Sequence, residues 1–383
     1  MTGRQRMAAD LADLADLSLD VLPAMFDPGT GLFSHKTTVR DGEHVNREPN
    51  LLYSTVSLVG LLTQRRRPAD DVVSVGTALD GLHRAVEGGA APAELANLTW
   101  ACTLAGDARG ERVLERLAGL DPRSCPSGEL GQALYGLVVG AGAHVPGRDR
   151  AMAAARACAE ELLARFRPGA DVFRASPRRR LPRRGLVESR FASFAAQVYP
   201  LHGLTALCLA TGEDPPPAVA RVAARIVEAQ GPLGQWWWLY STRSRVVIEG
   251  YPVYSVHQDG MAFLGLTELR RLGLDDFSEP LAKGLNWLSG ANELGADLVD
   301  RDPPLINRCI QRAGSDADRA YGISAANFRQ VIARSFVQRA AGDRTGADPA
   351  RLEILRECRS YHLGWLLYAD SLVEAATAPG GGA

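Results

Sequence analysis

Apolar and small residues return along this chain in short blocks at helical spacing, each opening on a polar or aromatic residue and often closing near a glycine. Six blocks share the pattern: LLYSTVSLVGLL from Leu51, AELANLTWACTLAG from Ala93, GELGQALYGLVVG from Gly128, AAQVYPLHGLTALCLATG from Ala195, YSVHQDGMAFLGLTEL from Tyr254 and YHLGWLLYADSLVEA from Tyr361. The i, i+3, i+4 recurrence predicts a helix in each. Between them lie more polar helices over 149–165, 218–229 and 279–289, whose charged faces suit a layer against water. Small residues in one set and charge in the other predict an inner and an outer ring. A single hairpin leaves an apolar face that only its neighbours can cover, and six can satisfy one another by closing on themselves. The expected fold is all-α, an (α/α)6 toroid of helical hairpins; an open α-solenoid is the alternative, with more uniform copies.

The interruptions refine this picture. Residues 171–190 carry seven arginines with Pro177 and Pro182, which exclude a continuous helix and predict a loop. Residues 297–322, rich in Asp, Pro and Arg, are a second insertion, and 376–383 read as a flexible tail. One domain over 1–375 is therefore expected. The first residues, MTGRQRMAADLADLADLSLDVL, keep acids within their apolar stretch and read as an amphipathic helix rather than a secretory leader. No window offers roughly 18 consecutive apolar residues, so a transmembrane segment is excluded and a cytoplasmic protein expected.

Charge narrows the partners. The 43 Lys and Arg nearly cancel the 44 Asp and Glu, leaving no global field to favour nucleic acid. Six cysteines without a CxxC pair read as reduced core thiols, so no cysteine-based metal cluster and no cofactor is expected.

In a toroid the inner helices present the same end to the central cavity, so polar residues at their starts converge although distant in sequence. That set is Tyr53, Tyr199, His202, Tyr254, His257, Gln258, Asp259, Tyr361 and His362. Asp259, near an inner-helix start and beside His257, is the first choice for a general acid, because apolar walls raise a carboxyl pKa and a histidine can orient it. Capping the helix is its competing role. His202 and His362 are further catalytic candidates, with buried core histidines as the plainer reading. Trp236, Trp237 and Trp238 cannot all face one core, and some are expected on the cavity wall for a carbocation or a sugar face. Glu188 and Glu249 lead into inner helices as possible second acids, and the arginine loop could grip an anionic group such as a diphosphate.

The stretch from Gln230 to Trp238 resembles the Gln and Trp repeat of squalene cyclases and protein prenyltransferase β subunits, a superfamily of α/α toroids. HQDGMAFLGL, from His257, is similar to the segment bearing the acid motif of class II terpenoid cyclases, and there Asp259 matches the protonating aspartate. The same residues resemble the prenyltransferase zinc segment, with Met261 where the cysteine stands, and YHLGWLLYA places His362 at the third ligand; the lost thiolate argues against zinc. The resemblance implies an isoprenoid-handling enzyme in which Asp259 protonates a polyprenyl chain and the aromatic residues stabilise the cations. A carbohydrate-active enzyme, whether epimerase, lyase or glycosidase, is the alternative. A non-catalytic toroid requiring a second subunit is the third reading.

Overall fold

A computed structural model describes residues 3–143, 147–176, 189–314, 345–377 and the isolated Ala333. Twelve helices occur among them, and they alternate between two layers. The outer ones are α1 (Gly3–Met25), α3 (Val75–Glu87), α5 (Gly110–Leu117), α7 (Arg148–Ala164), α9 (Pro217–Glu228) and α11 (Ser278–Leu288). The inner ones are α2 (Leu51–Thr63), α4 (Pro92–Ala105), α6 (Ser127–Ala143), α8 (Ala195–Thr211), α10 (residues 257–272) and α12 (Ser360–Thr377). Each of the six blocks found in the sequence is an inner helix, and the three polar stretches are α7, α9 and α11. Neighbouring inner helices pack in chain order and α12 returns to α2, so the ring is closed, an (α/α)6 toroid and not an open solenoid. α1 lies against α12 and α11, completing the outer layer.

Small residues set the closeness of this ring. A Cβ on Gly60 would fall inside van der Waals contact of the Gly364 backbone, and one on Gly364 would meet the Val56 carbonyl, so α2 and α12 join backbone to backbone. Gly131 and Gly203 do the same for α6 and α8. α10 is irregular: His257–Met261 is a π turn, Ala262–Leu266 is α-helical and Thr267–Leu272 tightens to a 3-10 turn.

Short antiparallel strands, absent from the all-α expectation, fill the connections from outer to inner helices. Two are copies of one turn. FDPGTGLF (26–33) and FRPGADVF (166–173) pair Phe26 with Phe33 and Phe166 with Phe173. Each holds a left-handed residue at the same place, Gly31 (φ 74°) and Asp171 (φ 54°). In each the closing phenylalanine backbone is gripped by the next inner helix: Phe33 N–H donates to Ser54 Oγ and Phe173 N–H to Gln197 Oε1, both at 2.7 Å. The expected 297–322 insertion begins as a hairpin, Val299–Arg301 with Pro304–Ile306, and then supplies the strand Cys309–Arg312, which lies between Val253–Tyr254 and Leu352–Leu355. Residues 177–188 of the arginine loop, 315–322 of the second insertion and 378–383 lie outside the described residues, and Ala376 and Thr377, expected in the tail, instead end α12. No helix among those described is long and apolar enough to cross a membrane.

Candidate functional site

The rim is built from tyrosines on separate inner elements. Asn50 caps α2 by accepting the Tyr53 N–H at 3.0 Å, which fixes the first turn so that the Tyr53 ring meets Tyr361 of α12 with centroids 4.4 Å apart. Tyr254 enters from the strand preceding α10 and Tyr199 from α8, and both hydroxyls lie within electrostatic range of Tyr53 and Tyr361. Tyr53, Tyr254 and Tyr361 are partly exposed. Burial pushes the hydroxyls of Tyr199, Tyr254 and Tyr361 well above the ordinary value, so they stay protonated and able to donate. The Arg308 guanidinium sits 5.6 Å above the Tyr254 ring. Its Nη1 donates to Glu357 at 2.6 Å, and that buried carboxylate also accepts from Arg359 at 2.6 Å and pairs with Lys36 at 3.1 Å. Burial works to raise the Glu357 carboxyl, but these cations outweigh it and hold it down.

Two groups sequence reasoning passed over stand at the starts of the adjacent inner helices α4 and α6. Glu129, in the first turn of α6, is half-buried, and burial followed by the charge of Glu94 pushes its carboxyl upward. Glu94 accepts the Ala91 N–H at 2.7 Å, reaching back to the residue that opens α4. Both look like ordinary acids complementing a helix N-terminus, which is why the pattern alone gave no signal.

His257 lies buried between Phe194 (4.7 Å) and Tyr254 (5.2 Å). Burial pushes its pKa down to about 3, against a hydrogen bond from the ring to the Trp236 carbonyl, so the ring is neutral near pH 7. Its Nδ1 has no hydrogen-bond partner among the described residues.

Asp259 and His362 meet in full burial, with His362 Nε2 at 2.7 and 2.8 Å from the two carboxylate oxygens. Burial alone would strip the proton from His362, but the charge and hydrogen bond of Asp259 prevail and push it up to about 10. Burial likewise drives Asp259 upward while His362 opposes it. One proton therefore resides in the pair, on the imidazole. A tetrahedral zinc ion holds its ligand atoms about 3.3 Å apart, whereas these two are in direct hydrogen-bond contact and Met261 is packed in the core. These residues do not fit the zinc site of the prenyltransferases.

The remaining predicted residues have structural surroundings. His202 accepts from or donates to the Tyr368 hydroxyl at 3.0 Å and stacks on Tyr135 at 3.9 Å; burial pushes its pKa down to about 3. With Trp100 and Trp365 these rings fill the barrel axis below the rim, and Trp365 Nε1 donates to Tyr199 at 2.9 Å. All three consecutive tryptophans are buried: Trp236 against Phe194 and Gly284, Trp237 against Tyr251, and Trp238 in a small cluster with Phe191 and Ile248 that Tyr254 covers. They anchor their loop between the layers. Gln258 ties the same loop to α10, accepting from Trp236 N–H at 3.3 Å and donating to the Tyr254 carbonyl at 3.1 Å. Glu249 is buried against Arg312 at 3.0 Å. Glu188 lies outside the described residues.

No family model matches the chain, and no curated protein matches it. Solved structures do. A heparin-specific unsaturated glucuronyl hydrolase superposes with TM-score 0.57 at 12% identity, over 97% of either chain. A glycosidase in complex with glucose gives TM-score 0.54 at 14% identity, over 95% of this chain and 97% of that one. The GH76A alpha-1,6-mannanase of Salegentibacter sp. HEL1_6 gives 0.52 at 11%, over 95% and 98%. At such identities the likeness carries the fold. It bears out the toroid, and these structures lend no support to the terpenoid cyclase and prenyltransferase resemblance of the Gln and Trp segment.

Proposed function

We propose that this protein is a carbohydrate-active enzyme performing acid–base chemistry on a sugar held at the tyrosine-lined rim. The observation that carries the reading is the polarity of that rim: Tyr53, Tyr254 and Tyr361 offer ring faces and hydroxyls beside Arg308. Apolar sugar faces stack on aromatic rings while hydroxyls need fixed donors and acceptors, and such a surface meets both demands. An isoprenoid cation would call for an apolar wall, not a guanidinium. The toroidal glycosidases and glucuronyl hydrolase similar in shape point to the same class.

Glu129 is assigned as general acid, since its raised carboxyl keeps a proton available to a leaving oxygen, and Glu94 is the neighbouring carboxylate. His257 backs the rim behind Tyr254 as a neutral ring, its proton pinned on the side facing Trp236. The Asp259–His362 pair positions α10 against α12 beneath them.

The test is turnover of aryl glycosides and of neutral and uronic-acid oligosaccharides. Wild type is expected to release product, and Glu129→Gln to lose about 10²–10⁴-fold in kcat. Absence of both turnover and calorimetric binding across the panel, or full activity in Glu129→Gln, overturns the assignment. Product from a linear isoprenoid that vanishes in Asp259→Asn restores the cyclase reading.

A further inference from the structure

At the end of α4 remote from the rim, three side chains of different chemistry face one point. His83 projects from outer helix α3, Cys102 from the last turn of inner helix α4, and Asp107 from the turn after it. His83 Nε2 lies 3.5 Å from Cys102 Sγ and 3.4 Å from Asp107 Oδ2. The thiol and the carboxylate thus approach the same ring nitrogen, which has only one in-plane hydrogen-bonding direction. A hydrogen-bonded relay would place them on opposite nitrogens.

We infer that His83, Cys102 and Asp107 form a binding site for a single zinc-class divalent ion with its fourth position open. All three ligand atoms lie within 4.8 Å of one another. His83 Nε2 stands from each of the other two ligand atoms at about the edge of a tetrahedron built on zinc bonds of about 2.0–2.3 Å. One thiolate, one imidazole and one carboxylate suit zinc or cobalt, and a hard ion such as magnesium or calcium poorly. The Cys102 side chain is fully buried, while His83 also lines an open groove of about 730 Å³ between α3 and α5.

The charge around the site is adjustable. Asp107 is forked by Arg109 at 2.7 Å, and the same guanidinium already reaches Asp80 at 2.7 Å. Arg109 is half exposed, so it can keep Asp80 and release the Asp107 oxygen to the ion. On binding, the Cys102 S–H bond breaks, its proton passes to solvent, and the sulfur electron pair forms the metal bond. Burial pushes the Cys102 thiol up to about 12 in the metal-free protein, so the affinity rises with pH.

The experiment titrates chelator-stripped full-length protein with Co²⁺ as the spectroscopic probe. Wild type is expected to take up one equivalent with a near-ultraviolet thiolate-to-cobalt band and visible bands of a tetrahedral ion, all abolished by Zn²⁺. Cys102→Ser loses the thiolate band and His83→Gln loses the bound equivalent, with circular dichroism confirming that both are folded. Cys208→Ser, at a distant thiol, keeps the band, and so does Glu129→Gln, which separates this site from the sugar chemistry. Absence of the band in wild type, or its persistence in Cys102→Ser, overturns the inference; if both variants unfold, proton release on adding Zn²⁺ to weakly buffered wild type decides, and no release overturns it.

Discussion

Replacing Asp259 by Asn leaves the His362 ring buried with a partner that no longer favours its charge. Removing one member of a buried ion pair costs about 3–5 kcal/mol, because the survivor has lost its water without compensation. The raised proton affinity of His362 points to the same order of magnitude. Its pKa rises from the usual 6.5 to about 10, a displacement on the order of 5 kcal/mol. The folded value is the higher one, so this stabilisation is complete below about pH 6.5 and is lost as pH climbs towards 10. Spread over 383 residues, with about 2.1 cal/mol/K of unfolding entropy per residue, the loss corresponds to a Tm lower by about 4–6 °C. Urea unfolding of wild type and Asp259→Asn between pH 6 and pH 10 should show a stability gap that is widest at the acid end and closes toward the alkaline end. A gap that stays constant with pH, or widens as pH rises, refutes the assignment of the proton to His362.

Three further outcomes follow from packing and proton placement. Gly60→Ala forces a methyl into the Gly364 backbone and should cost about 1–3 kcal/mol or more in urea unfolding, whereas Gly142→Ala, with nothing within 4 Å, should be neutral or slightly stabilising. Tyr368→Phe removes the hydroxyl shared by Tyr135 and His202 at 3.0 Å each and should cost about 1–3 kcal/mol while leaving sugar KM unchanged. With Glu129 as the proposed general acid, kcat of the proposed sugar reaction should fall as pH rises through its carboxyl pKa, which lies above the usual 4.5, and Glu129→Gln should flatten that limb.

The inner helices were legible because each repeats small and apolar residues over three or more turns, long enough for periodicity to register. The two-residue strands were not: FDPGTGLF and FRPGADVF are too short for any period, although their shared Phe-x-Pro-Gly opening and closing Phe are visible as a repeat once aligned. The convergence argument placed Tyr53, Tyr254 and Tyr361 on one rim and brought Asp259 to His362, since helix starts in a ring share an end. It could not separate rim from floor: Tyr199 and His202 lie on one helix, and only the depth along α8 assigns the histidine to the packed rings beneath. The tryptophans were ambiguous for a related reason, because both faces of an inner-layer loop are apolar surroundings and sequence does not say which is which. Arg308 and Glu357, which shape the rim's charge, come from strand and loop positions that carry no pattern.

The ring stack of Trp100, Tyr135, His202, Trp365 and Tyr368 stops the axis from being a tunnel. A sugar held at the proposed rim site would meet packed rings beneath it among the described residues, so it would depart by the route it arrived while a fresh one waits outside. A long chain cannot be threaded through; it can offer only a terminus to the vessel or lie across its lip.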